Sequence, residues 1–153
     1  MTTVILTIIG IFLAGIAALM VTYYGTASWE EGTTSAHAST LINAGENVVA
    51  SDQLFYNRDG RKSVDLTDLI DAQYLNSLPN VPNGTVQETY ADLTDTSGLT
   101  KRAFVITNVS QNVCLEVEKR ISDMSATAIP TSADNKIGCY VGNAGNTFYA
   151  KLV

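Results

Sequence analysis

No charged side chain occurs before Glu30, so the chain opens with MTTVILTIIGIFLAGIAALMVTYYGTASW, which no water-facing helix of a small domain could carry. From Val4 to Tyr24 the residues are almost all Val, Ile, Leu, Ala, Phe, Met and Gly. That is about 20 residues, the length at which a helix crosses the roughly 30 Å hydrocarbon core of a bilayer. The run is expected to be helical and to sit in lipid or among other apolar helices.

The residues from Gly25 to Val153 are of ordinary globular composition, and about 130 residues bury one core but hardly two. One head domain on one apolar helix follows. The chain carries nine Lys and Arg against fifteen Asp and Glu, a net charge of -6, and its first basic residue is Arg58. Binding of nucleic acid is excluded on charge grounds, because neutralising phosphates needs a basic face. The two cysteines, Cys114 and Cys139, have no third Cys or His beside them, and structural zinc takes four such ligands. A Cys114–Cys139 disulfide is therefore expected, with no metal and no cofactor, in a domain that matures outside the cytoplasm.

Export with the N-terminus held on the cytoplasmic side ordinarily uses Lys or Arg just before the apolar run, and none is present. A cleaved secretory signal would also need a basic start, and cleavage near Ala27 or Ser28 would discard the helix. The expectation is that a basic leader preceded Met1 and was removed, leaving Met1 as the processed N-terminus. Within the run Gly10, Ala14 and Ala18 recur every fourth residue, with Gly15 beside them, a small-residue stripe of the kind that lets helices approach closely. Tyr23, Tyr24 and Trp29 fall where the helix would leave the membrane, as an interfacial aromatic belt does.

Beyond the belt, GTASWEEGTTSAHAST is weak helix material, but Ala38, Leu41, Ile42, Gly45, Val48 and Val49 return at spacings of three and four. The helix is expected to continue to about Ser51, giving three segments: residues 1–24 as an apolar helix, 25–52 as its amphipathic continuation, and 53–153 as a globular head. Asp59-Gly60 reads as a turn, and a short helix is expected from about Asp65. TVQETYADL, KRAFVITNV and NTFYAKLV read as three strands of an antiparallel sheet. SQNVCLEVEKRISDM reads as a short helix N-capped by Ser110 and carrying Cys114. The expected fold class is α+β: a long N-terminal helix, its apolar half protruding, packed on a small antiparallel sheet, with one disulfide.

With this apolar start, amphipathic continuation, compact head and late cysteine pair, the chain resembles the type IV pilins, nearer the type IVb kind. The points that carry the resemblance are Met1, the unbroken run Val4 to Tyr24, DLTDLIDAQYLNSLP, and FVITNVSQNVCLEVEKRI with the first cysteine. The resemblance implies a leader peptidase cutting before Met1, often methylation of the new amine, residence in a bacterial inner membrane, and assembly by pilus machinery into a homo-oligomeric helical filament. Ile5, Ile9, Gly10, Phe12, Ala14, Gly15 and Ala18 would then pack in the filament core. The family usually carries Glu at the fifth mature position, whereas this chain has Ile5.

Other motifs carry less. Asn57-Arg58-Asp59-Gly60 resembles the middle of a calcium loop, but aligned on Gly60 the first and twelfth ligand positions are Phe55 and Leu66, so it reads as a plain turn. His37 is the only histidine and is expected to pack on the helix surface. No nucleophile elbow, phosphate loop or zinc-protease helix occurs, and no enzyme is expected. The function that follows is an extracellular pilus subunit for adhesion, motility or DNA transfer by conjugation. The alternatives are a minor pilin or pseudopilin that primes or caps such a fibre, and a single-span membrane-anchored binding domain.

Overall fold

The computed structural model describes residues 2–122, 126–143 and 145–152, with side chains described throughout except at 2–6 and 23–28. Met1 and the side chains of Ile5, Tyr23 and Tyr24 thus lie outside the described residues. The protein is α+β. Its elements are α1 (Thr2–Asp59), α2 (Leu66–Asp71), β1 (Thr85–Val86), β2 (Ala91–Thr94), β3 (Thr100–Thr107), α3 (Gln111–Ile121), β4 (Ile137–Gly142) and β5 (Gly145–Lys151). Two compact units result, Met1–Thr34 and Ser35–Val153.

The weak helix material at the centre of α1 is helical all the same. Its hydroxyls turn back on the helix: Thr33 Oγ1 donates to the Trp29 carbonyl, Ser39 Oγ to that of Ser35 and Thr40 Oγ1 to that of Ala36, each at 3.0 Å. In the second unit Ala38, Leu41, Val48 and Phe55 are fully buried, and Asp52 is 1% exposed. Their spacing of three, four and seven residues keeps one face of α1 on the core. That face carries the helix past the expected end near Ser51, because Asp52 and Phe55 continue it. The Asp59-Gly60 turn is the helix terminus itself: Gly60 adopts φ 68° and donates its N–H to the Tyr56 carbonyl at 3.0 Å.

The sheet is antiparallel in the order β1-β3-β5-β4, with β2 also paired to β3 beyond β1. The strand expected over TVQETYADL is two strands. After Gln87 N–H reaches the Val105 carbonyl, the chain leaves the ladder, and Glu88 and Thr89 pair with Leu66 and Asp65 at the start of α2. The segment around Gly138-Cys139-Tyr140 is a full strand that the sequence pattern did not announce. Gly138 fits there because a Cβ would lie 2.7 Å from Glu118 Oε1. One face of the sheet turns Phe104, Ile106, Phe148, Ala150 and Cys139 into the main core with α1, α2 and α3, while the other gathers Ala103, Val105 and Tyr149 under Ala133.

Candidate assembly surface

In the first unit every described large apolar side chain is exposed. From Ile8 to Val21 these residues leave between 47% and 73% of their surface open, Ile16 and Val21 marking the two ends of that range. The helix does not distribute them evenly. At about 100° per residue, Ile8, Ile9, Phe12, Leu13, Ile16, Leu19 and Met20 share one side. Gly10, Ala14, Gly15, Ala17 and Ala18 lie on the other, with Ile11, Val21, Thr7 and Thr22 among them. Nothing lies within 4 Å of where a Cβ would stand on Gly10 or Gly15, and Ile11, Phe12, Leu19 and Thr22 rim a shallow apolar depression over Gly15. The depression lies along the border of the two sides, since Phe12 and Leu19 of the bulky side form part of its rim.

The stripe expected from the sequence, Gly10, Ala14 and Ala18 with Gly15, is therefore present as one exposed side of an unbroken helix, and Ile9 and Phe12 fall on the bulky side. Trp29 is 75% exposed. Met1 and the side chains of Ile5, Tyr23 and Tyr24, the remaining residues of that expectation, are outside the described set. Among the described residues no helix is long and apolar enough to cross a membrane. The stretch with described side chains is residues 7–22, about 24 Å of helix, and the apolar run of the sequence extends past both of its ends.

In the second unit the expected disulfide is formed. Cys114 on α3 and Cys139 on β4, 25 residues apart and both fully buried, are joined with their Cα atoms 5.5 Å apart. Beside the bridge, the buried Glu118 carboxylate accepts from the Cys139 N–H at 2.6 Å and from Ser122 Oγ at 2.9 Å. Ser110 precedes α3 as expected, but its side chain makes no capping bond; its carbonyl accepts from the Cys114 N–H instead. Arg120 then fastens the end of α3 to α1, donating to Ser35 Oγ and Ser39 Oγ at 2.5 Å each.

A second polar group was invisible in the sequence because its members are far apart along the chain. The Asp52 carboxylate on α1 accepts from Ser63 Oγ at 2.5 Å and faces Arg102 of β3 at 3.7 Å. Arg102 also donates to the Ser63 carbonyl, and the Tyr90 hydroxyl, 3.1 Å from Ser63 Oγ, is left to donate to it. Burial pushes the Tyr90 phenol up to about 12, with the Asp52 charge adding to the rise. These bonds tie the end of α1 to the sheet. Ser63 is 1% exposed. His37 has its Nδ1 3.0 Å from the Asn83 side-chain amide, which fits the packing role expected of it. Among the described residues no group of three or more His, Cys, Asp or Glu is placed to hold a metal ion.

Compared with models of known families, with curated proteins and with solved structures, the chain finds no match in any of the three.

Proposed function

We propose that this chain is a structural subunit of an extracellular helical filament of the type IV pilin kind, assembled through residues 2–24 of α1. The observation that carries the reading is that residues 8–21 present only exposed apolar and small side chains, while residues 35–152 bury a core of their own. Water does not stabilise such a helix. It gains about 25 cal/mol for each Å² of apolar surface removed from water, whether into lipid or against copies of itself.

The two unlike sides of the helix favour copies over lipid alone as the final environment. Bulky side chains of one copy set against the small residues Gly10, Ala14 and Ala18 of the next make a heterologous contact, and repeating such a contact in one direction builds an open helical fibre unless the rotation closes into a ring. On this reading the subunit waits in the inner membrane until pilus machinery adds it to the fibre. The disulfide suits a head exposed outside the cell. Adhesion, motility and DNA transfer are all tasks for such a fibre.

Ile5 favours a second version of the same reading, since the resemblance leads one to expect Glu there. The chain would then prime or cap a fibre made mainly of another subunit. Imaging of material sheared from cells that express the chain tests the proposal. Fibres in which this chain is the abundant component support the structural subunit, and fibres that contain it in few copies support the priming role. Recovery only as detergent-dispersed monomers, with no fibre, would point to a single-span anchored domain and overturn the assembly reading.

A further inference from the structure

Between α1 and the chain that follows α2 lies a groove of about 540 Å³. One wall is α1, where Asn43 and Asn47 stand one turn apart on the same side of the helix; the other is the segment 74–80, which brings Asn76, Ser77 and Asn80. Four of the chain's eleven asparagines are thus gathered at one place. The walls are fixed to each other and to the core. Ser51 Oγ of α1 donates to the Tyr74 carbonyl at 3.1 Å, and the N–H groups of Tyr74 and Leu75 donate to the Leu69 carbonyl at 2.9 and 3.0 Å. All four asparagines are exposed, and among the described residues none of their carboxamides has a protein partner. Asparagines outside the groove can be engaged, Asn83 with His37 and Asn135 with Ser122.

The chemistry of the walls selects the ligand. No Asp, Glu, Lys, Arg or His lines the groove, although the chain carries nine basic and fifteen acidic residues. An ionic ligand would give up its hydration there and find no counter-charge. A purely apolar ligand would take water from the carboxamides and leave them unpaired. Each carboxamide offers two N–H donors and an acceptor oxygen, while Leu75, Leu78 and Pro79 add apolar lining. The ligand that matches is neutral, carries donors and acceptors on several sides, and has some apolar surface of its own.

From this arrangement we propose that the groove binds a neutral oligosaccharide, its hydroxyls paired with Asn43, Asn47, Asn76 and Asn80 and its ring C–H faces against Leu75, Leu78 and Pro79. Two neighbouring hydroxyls of a sugar ring suit the adjacent donor and acceptor of a carboxamide, because each hydroxyl both donates and accepts. A peptide is held along a strand edge, or as a helix in an apolar groove. This groove is neither, since its walls are a helix and a loop with carboxamides on both. Its volume lies within the range of small-molecule sites, about 300–1,000 Å³. The proposal concerns the head alone and does not depend on filament assembly.

The test is a titration of the full ¹⁵N-labelled chain, in micelles of a detergent without a sugar head group, with lactose, maltose and N,N′-diacetylchitobiose in turn. The neutral capped peptide N-acetyl-triglycine amide is the comparison. At least one of the disaccharides is expected to shift the side-chain amide pairs of Asn43, Asn47, Asn76 and Asn80 and the backbone amide of Ser77, and the peptide to leave them in place. High salt should not weaken the binding, because no ion pair is broken. Asn43→Ala, Asn47→Ala, Asn76→Ala and Asn80→Ala should each weaken it about fivefold, a loss of about 1 kcal/mol. All four positions are exposed, so the head's melting temperature should hold and show that the loss is not unfolding. Asn57→Ala, on α1 but outside the groove, should leave binding unchanged. No shift with any of the disaccharides, an equal shift with the peptide, or full binding by the four groove variants would each overturn the proposal.

Discussion

One helix passes through two environments in this protein, and the contrast separates what the chain can stabilise alone from what it cannot. In the second unit α1 buries Ala38, Leu41, Val48 and Phe55 completely against α2, α3 and the sheet. In the first unit the same helix leaves Phe12, Leu19 and Val21 with 70% or more of their surface open. The head has its own core, disulfide and polar ties, so its fold is complete within residues 35–152. In the first unit the described large apolar side chains from Ile8 to Val21 are all exposed, so removing them from water is what would stabilise it.

The substitution with the largest expected effect strikes the incomplete region. Phe12→Asp sets a carboxylate in the middle of the bulky side, where a charge at the centre of an apolar helix costs about 3 kcal/mol in lipid and, in the proposed fibre, would face the apolar helices of other copies. Fibre yield in sheared preparations should fall below detection. Thermal unfolding of the head, followed by near-ultraviolet circular dichroism in detergent, should not move. A drop in head stability would show that the two regions are not energetically separate.

Cutting the head's covalent tie reverses the comparison. Cys114→Ala with Cys139→Ala removes a constraint across 25 residues of chain, worth about 3.5 kcal/mol on the loop-entropy account. The head's melting temperature should fall on the order of 10 °C, while the helical circular dichroism of the chain in micelles below that temperature should persist. Free thiols in the unreduced native protein would refute the premise.

How far the sequence disclosed this molecule follows the same division. The apolar helix, the fold class, α2 near Asp65, α3 and the cysteine pair were legible because each leaves a local mark: a run, a period or an isolated pair. The end of α1 was missed by eight residues because the marks that extend it, Asp52 and Phe55, earn their burial from Ser63, Arg102 and Tyr74, which are distant in sequence. β4 was missed because glycines at 138 and 142 blur a strand pattern, and only its tertiary neighbours show why glycine suits the first of them. The depression lined by Lys101, Lys136 and Lys151 could not be read at all, since its residues come from β3, β5, the turn between β2 and β3 and the segment before β4, and meet only when the sheet forms.

The finest test of the comparison uses one chemical change at two points of α1. At Gly45 an added Cβ would lie 2.9 Å from Phe148 Cζ and 3.1 Å from the Ala150 Cβ, so Gly45→Ala overpacks the contact between helix and sheet. Overpacking of this kind costs about 1–3 kcal/mol, and the better helix propensity of Ala returns up to about 1 kcal/mol, so the head should lose about 0–2 kcal/mol in a urea titration. At Gly15 nothing stands within 4 Å, and Gly15→Ala should leave the head's urea midpoint unchanged and make the isolated helix slightly more stable. Its cost appears only if a second copy fills the recess: bulky side chains seated over Gly15 would be held off by the new methyl group, and the fibres should come apart at lower denaturant than those of the parent. Fibres of unchanged resistance would mean that the Gly15 side faces lipid or solvent rather than another subunit, and the packing of bulky side chains against the small residues would have to be given up.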